Sequence, residues 1–285
     1  MNQQIIAGCM GWGKWGKDLS ISQMSELISL YLSQDINTFD HADIYGAYTT
    51  ENDFGFALKQ SGVARENIKL ISKCGIQHTQ GRNNTIKHYN YSKEYIIWSA
   101  ENSLKNLQTD YLDILLLHRP SPLLHAEEVA EAIETLKSQG KIRAFGVSNF
   151  TPAQTALLHQ YSTVSCNQIQ FSVTHHQPLT DGSLDYMQLH KIQPMAWNPL
   201  GDIFRADTEK VLRIRQVLIA LEDKYNTTAD VLLLAWTLKH PAQIQPVVGT
   251  ANQEHIKRLT QLSQLELELE DWFMLYSASL GERVP

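Results

Sequence analysis

A few ionisable residues, far apart in the chain, have the chemistry needed to hand a proton to a carbonyl. The stretch NTFDHADIYG (37–46) runs out of an apolar segment into Asp40, His41, Asp43 and Tyr45. Lys73 closes the apolar run IKLISK (68–73), and His118 closes LDILLLH (112–118). A free phenol has a pKa of about 10, too high for easy proton exchange near neutrality, and a neighbouring ammonium lowers it by stabilising the phenolate. Lys73 can supply that ammonium, Asp40 can hold it in place and protonated, and Tyr45 then serves as general acid. His118 would orient the substrate oxygen or relay the proton. Further along, Ser148, Asn149 and Gln168 offer a hydroxyl and two amides suited to a nicotinamide carboxamide, and Trp197 a flat face on which that ring stacks. Together these residues describe a hydride-transfer site.

The elements that must bring them together are legible as alternation. Apolar runs recur at 4–10, 36–40, 68–73, 112–118, 142–149, 165–170, 192–199 and 244–249, of a length suited to strands buried on both faces. Between them lie helical patterns with start signals: Ser20 with Gln23, Thr50 with Asp53, Thr227 with Asp230, and TPAQ (151–154) with Pro152 at the first helical position. In VAEAIETLKSQGK (129–141), Val129, Ile133 and Leu136 share a face and Gly140 marks the end. Eight strand–helix units imply a parallel α/β fold, either an open doubly wound sheet or a closed barrel. No linker divides the chain, and about 250 residues is the usual size of the closed form. The expectation is one (β/α)8 TIM barrel over 1–285, with extra helices at 208–225 and 265–280 outside it and a long polar loop at 75–91. In that fold the carboxyl ends of the strands share one rim, where active sites lie.

Composition narrows the setting. The chain has 285 residues, 43% hydrophobic and 19% charged, with a net charge of -6. That balance disfavours nucleic acid and anionic lipid as partners. There is no signal-peptide pattern and no apolar run of about 18 residues to span a membrane. Three scattered cysteines suit reduced thiols, so a cytoplasmic protein is expected. With no heptad run demanding a partner, a monomer is expected.

In order and spacing, these segments resemble the aldo-keto reductases, nicotinamide-dependent barrel oxidoreductases. FDHADIYG (39–46), ISKCG (71–75), DYLDILLLHRPSP (110–122), GKIRAFGVSNF (140–150), NQIQFS (167–172), WNPLG (197–201) and PVVGTANQEHI (246–256) carry the likeness across nearly the whole chain. The resemblance implies a catalytic tetrad of Asp40, Tyr45, Lys73 and His118 and NADPH-dependent reduction of aldehyde or ketone carbonyls of small molecules. It places Ser148, Asn149 and Gln168 on the carboxamide and Trp197 on the nicotinamide ring. Asn198 and Leu200 would follow the pyrophosphate, with Arg205 as a clamp. Gly249, Thr250, Asn252 and His255 would approach the adenosine phosphate. Many relatives have a lysine and an arginine around the last strand, where this chain has Gly249 and His255, so NADH remains a possible donor beside NADPH.

GWGKWG (11–16) matches the glycine spacing of a dinucleotide-binding turn, but those glycines should open a helix and the capping signal begins only at Ser20. A barrel that binds the cofactor without turnover, as a sensor or regulatory subunit, is the alternative to an enzyme. THHQ (174–177) has no established zinc spacing, so no metal is expected. Trp12 and Trp15 suit the pocket wall and the plugging of the first strand equally well, with Tyr48 and the 75–91 loop as further wall candidates.

Overall fold

The computed structural model describes residues 4–284; residues 1–3 and 285 of the expected domain lie outside that range. Ten strands form among the described residues: β1 Ile6–Gly8, β2 Thr38–Asp40, β3 Lys69–Cys74, β4 Ile76–Gln77, β5 His88–Tyr89, β6 Leu112–Leu117, β7 Ile142–Ser148, β8 Cys166–Gln170, β9 Gln193–Trp197 and β10 Gln245–Val248. Eight of them close a parallel barrel in the order β1-β10-β9-β8-β7-β6-β3-β2. Seven of them lie within the apolar runs, and β3 overruns its run by one residue, Cys74. The 75–91 loop is not structureless: β4 and β5 pair antiparallel across it, Ile76 with Tyr89 and Gln77 with His88. Two-residue strands with a polar tip leave too little periodicity to read.

Side chains alternate across a strand, so residues two apart share a face. Ile6, Ile71, Leu116, Cys166, Met195 and Val247, one from each of six strands, form an apolar cluster separate from the main core. Two residues further along the same strands come Gly8, Lys73, His118, Gln168, Trp197 and Gly249. The polar residues thus sit one layer above an apolar plug. Gly146 belongs to the packed level, because a Cβ there would lie 2.4 Å from Cys166 Sγ and 2.7 Å from Leu116 Cδ2. Ser148 follows it into the polar layer. The larger core, including Phe39, Phe54, Phe145, Phe171 and Trp236, fills the space between strands and helices.

The helix signals hold at Ser20, which forms a full capping box with Gln23, and at Thr151, which forms one with Gln154 ahead of Pro152. Two signals were misplaced by one residue. Thr49 occupies the cap position of the helix Thr50–Ser61 and caps nothing with its side chain. Thr228 caps Ala229–Leu238, with its hydroxyl on Asp230, while Thr227 bonds Gln261 at 2.7 Å. The expected outer helices form over Glu209–Tyr225 and Leu269–Leu280 and pack on each other. The 11–16 turn folds back on itself: Lys17 N donates to Gly11 O at 2.8 Å, and the next helix starts only at Ile21.

Behind β2 the turn buries two ionisable groups. His41 is fully buried with its ring 4.2 Å from that of Phe54, and burial pushes its pKa down to about 3. Asp43 accepts from Ser99 Oγ at 3.0 Å and Tyr95 OH at 3.3 Å. Burial, and then the Glu51 carboxylate, push Asp43 up to about 7. Glu51, itself raised by burial, accepts from Ser72 Oγ at 2.5 Å. The ordinary aspartate value is 3.8, so between there and about 7 only the folded state holds this proton. Stability from Asp43 is therefore full below the lower value and lost as pH rises to the upper one. Asp43→Asn removes that loss. Calorimetry of both proteins from about pH 4 to about pH 8 should show the variant's melting temperature gaining on the wild type as pH rises. A constant difference across that window refutes the assignment.

Candidate active site

Three strands and one turn build the centre. Asp40 ends β2, Lys73 lies in the adjacent β3, and Tyr45 follows β2 by one turn. Parallel pairing sets Asp40 opposite Ile71, so Lys73 reaches back over the end of β2. Its Nζ donates to Asp40 Oδ2 at 2.7 Å, His41 O at 2.8 Å and Tyr45 OH at 2.9 Å. Three N–H groups meet three acceptors, and the side chain is 1% exposed. Burial alone would lower the lysine pKa, but Asp40 and then Tyr45 outweigh it, and the net shift is upward. Lys73 stays charged.

Tyr45 departs from the sequence expectation. Burial raises its pKa, the Lys73 ammonium lowers it, Asp40 raises it again, and the net direction is up. The phenol is therefore loaded with its proton at neutral pH. The ammonium favours the phenolate form, but burial outweighs it. The backbone after Tyr45 is unusual: Gly46, Ala47 and Tyr48 all take positive φ, at 59, 56 and 70°. His118, just past β6, sets its ring 5.9 Å from that of Tyr45, edge to face. Burial, then Lys73, hold its pKa well below the usual histidine value, so it is neutral.

The next ring of residues is linked to this centre by hydrogen bonds. Gln168 Nε2 donates to Asp40 Oδ1 at 2.9 Å. Ser148 Oγ donates to Gln168 O at 2.9 Å and receives Asn149 Nδ2 at 2.7 Å. Asn149, with φ 60°, accepts from Trp197 Nε1 at 2.8 Å on Oδ1. Ser148, Asn149, Gln168 and Trp197 thus form one continuous wall. Asn198, also at positive φ, receives Arg205 through its side-chain oxygen, and Arg205 also reaches Gly201 O at 3.0 Å. Leu200 packs partly buried against the core.

The last group lies past β10. Gly249 and His255 are exposed, and Thr250 Oγ1 accepts from Asn252 N at 3.1 Å. Asn252 caps the helix Gln253–Arg258 by accepting from Glu254 N and His255 N. Lys257 and Arg258 are engaged elsewhere, with Glu254 at 2.9 Å and Asp230 at 3.1 Å.

Around the mouth the two tryptophans part company. Trp12 is fully buried among Tyr31, Phe39 and Phe54, which corrects its candidacy for the wall. Trp15 is 37% exposed, 6.4 Å from the Tyr45 ring and 5.5 Å from His78. Within the 75–91 loop named as a wall candidate, Arg82 sets its guanidinium carbon 3.9 Å from the Tyr48 ring centroid, and its Nη1 donates to Gln77 and Tyr95. Arg119 is not among the sequence candidates; its only signal there is adjacency to His118. Cys74 is buried with its thiol pushed well up. Among the described residues no three His, Cys, Asp or Glu side chains converge on a metal position, and no helix is long and apolar enough to cross a membrane.

Comparison with known proteins bears on the whole chain. The sequence profile of the Aldo/keto reductase family matches residues 4–279. The oxidoreductase YdhF of Escherichia coli is 41% identical, over 96% of this chain and 93% of its own length. The 6-dehydroglucose reductase of Agrobacterium fabrum is 37% identical, over 96% and 94%. Among solved structures, an aldo/keto reductase from Klebsiella pneumoniae in complex with NADP and acetate superimposes with a TM-score of 0.81 at 26% identity, over 95% of this chain and 89% of that one. With the closed barrel and this match from end to end, the chain belongs to the aldo/keto reductase family.

Proposed function

We propose that the chain, as one barrel domain over 1–285, reduces aldehyde or ketone carbonyls to alcohols, with Tyr45 as proton donor and NADPH as co-substrate. The observation that carries this is the 2.9 Å bond between Lys73 Nζ and Tyr45 OH, with Asp40 holding the ammonium from the other side. A carbonyl oxygen between Tyr45 and the neutral His118 receives a hydrogen bond from the phenol. As negative charge grows on that oxygen, the Tyr45 proton transfers to it, and the phenolate left behind is stabilised by Lys73. Asp40 keeps Lys73 charged throughout and stays paired with Gln168. His118, held neutral by burial, positions the oxygen without competing as an acid.

The donor set fits a nicotinamide carboxamide. Ser148, Asn149 and Gln168 are linked by hydrogen bonds, and Gln168 engages Asp40 through Nε2, which leaves its Oε1 as an acceptor for an amide N–H. The indole of Trp197, fixed through its Nε1 by Asn149, offers the stacking face. Asn198 and Leu200 would follow the pyrophosphate, with Arg205 beside them. Gly249, Thr250, Asn252 and His255 would meet the adenosine phosphate. Bound NADPH supplies the hydride. The NADP complex of the Klebsiella relative supports this choice of co-substrate, and the Agrobacterium relative's name supports the direction of reduction.

Tyr45→Phe should keep its affinity for NADPH and lose carbonyl reduction by about 100-fold or more, the scale of a general acid. Oxidation of NADPH with an aldehyde panel and a parallel cofactor titration measure both. Near-normal turnover in the variant would sink the role given to Tyr45; tight cofactor binding by the wild type with no turnover on any carbonyl would favour a sensor. For the donor, equilibrium titration should give an NADPH dissociation constant below that of NADH by about tenfold, about 1.4 kcal/mol. Equal constants remove the preference.

A further inference from the structure

We propose that Arg119 recognises an anionic group on the substrate, so that the pocket selects carbonyl compounds carrying a carboxylate or phosphate away from the reacting carbon. This rests on carbonyl reduction at Tyr45 and names the class of compound reduced there.

Arg119 follows His118 directly and is held as a fixed point. Its backbone N donates to Tyr91 OH at 3.1 Å, and the same hydroxyl donates to Arg119 O at 2.5 Å. Tyr91 is 6% exposed. Its ring needs the space left by Gly75, where a Cβ would lie 1.9 Å from Tyr91 Cε1. Gly75 also takes φ 109°, a value that side chains rarely allow. One buried phenol thus clamps both polar groups of the Arg119 peptide backbone.

The side chain, by contrast, is unspent. Arg65, Arg143, Arg215 and Arg258 each pair with a carboxylate. Arg119 has no hydrogen-bond acceptor and no acid partner among the described residues; its guanidinium carbon rests 5.3 Å from the centroid of the Trp197 ring. An aromatic face attracts the charge but satisfies none of five N–H donors. The planar fork matches a carboxylate or phosphate in bidentate fashion.

The surroundings carry the same sign. The charges that act on His118 are Lys73, Arg119 and Lys87, all cationic. Lys87, exposed on the loop between β4 and β5, has no ion-pair partner among the described residues. Lys73 is neutralised by Asp40, so Arg119 and Lys87 are the cations near His118 that no carboxylate pairs among the described residues, in a chain of net charge -6. Oppositely charged substrates are drawn to such cations. The residues assigned to the cofactor phosphates lie elsewhere, at 198–205 and 249–255. Arg119 instead follows His118 in the chain and rests its guanidinium against the Trp197 ring.

Matched substrates test this. para-Carboxybenzaldehyde is compared with its methyl ester, and para-formylphenyl phosphate with para-methoxybenzaldehyde, so that the two arms separate carboxylate from phosphate. In at least one arm the wild type should favour the anion in kcat/KM by about tenfold or more, mostly through KM. Arg119→Gln should bring that ratio to near unity, and Arg119→Lys should restore part of it. Binding of para-(hydroxymethyl)benzoate and its methyl ester to the enzyme–NADPH complex gives a readout that needs no turnover, and the same preference and the same loss are expected. Turnover of the neutral aldehydes without any anion preference overturns the role of Arg119 and leaves carbonyl reduction standing. A preserved binding preference with no aldehyde reduced supports Arg119 and faults carbonyl reduction instead. Weakened NADPH binding in Arg119→Gln, with the substrate ratio unmoved, assigns the guanidinium to the cofactor and overturns the proposal.

Discussion

A charged ammonium sits inside this barrel with almost no contact with water, and the arrangement of the site follows from making that tolerable. Removing such a charge from water costs several kcal/mol unless it is paired and hydrogen-bonded. Lys73 meets the requirement with Asp40, the His41 carbonyl and Tyr45. Meeting it needs β2 and β3 side by side in one register, and the turn after β2 folded back over the strand ends. Asp40 needs a second partner for its other oxygen and finds it in Gln168 of β8. The demands of one cation therefore connect three strands and a turn, and place a phenol where its proton can be used.

The barrel meets those demands by layering. An apolar plug of Ile6, Ile71, Leu116, Cys166, Met195 and Val247 closes the interior. The next inward-facing residues on the same strands are the ones available for chemistry. Water is excluded from below, so the Lys73–Asp40 pair acts in a medium where electrostatic interactions are strong. Above that layer the loops form the wall, and their side chains are held by contacts of their own: Tyr48 by Arg82, Trp15 by His78, Arg119 by Tyr91.

Much of this was legible because strand ends are marked by abrupt polarity. Seven of the eight apolar runs contain their strands and the run at 68–73 falls one residue short of Cys74, while Lys73, His118 and Gln168 stand out against the residues two places before them. Ser20 and Thr151 were readable as caps because hydroxyl, spacing and glutamine partner coincide. At Thr49–Thr50 and Thr227–Thr228 adjacent threonines offered the same pattern twice, and tertiary packing chose between them. Trp12 and Trp15 could not be told apart, since one turn sends the first into the core and the second to the mouth. The partners of buried Asp43, Tyr95 and Ser99, lie more than 50 residues away in the chain, and no local pattern announces them. The phenol pKa was misjudged for a related reason: the ammonium was visible in the sequence, but the burial that outweighs it was not.

Barrel closure joins the two ends of the chain, with Ile6 beside Val247 and Ala7 beside Val248. During synthesis β1 appears before every other barrel strand and must wait for the last of them. Until residue 248 has emerged, β1 has β2 on one side and an open edge on the other, a surface prone to pairing with the wrong strand. The interior cluster is also incomplete, because Val247 is its final member. A chain cut short before β10 keeps every residue of the tetrad and still lacks the container that gives those residues their properties.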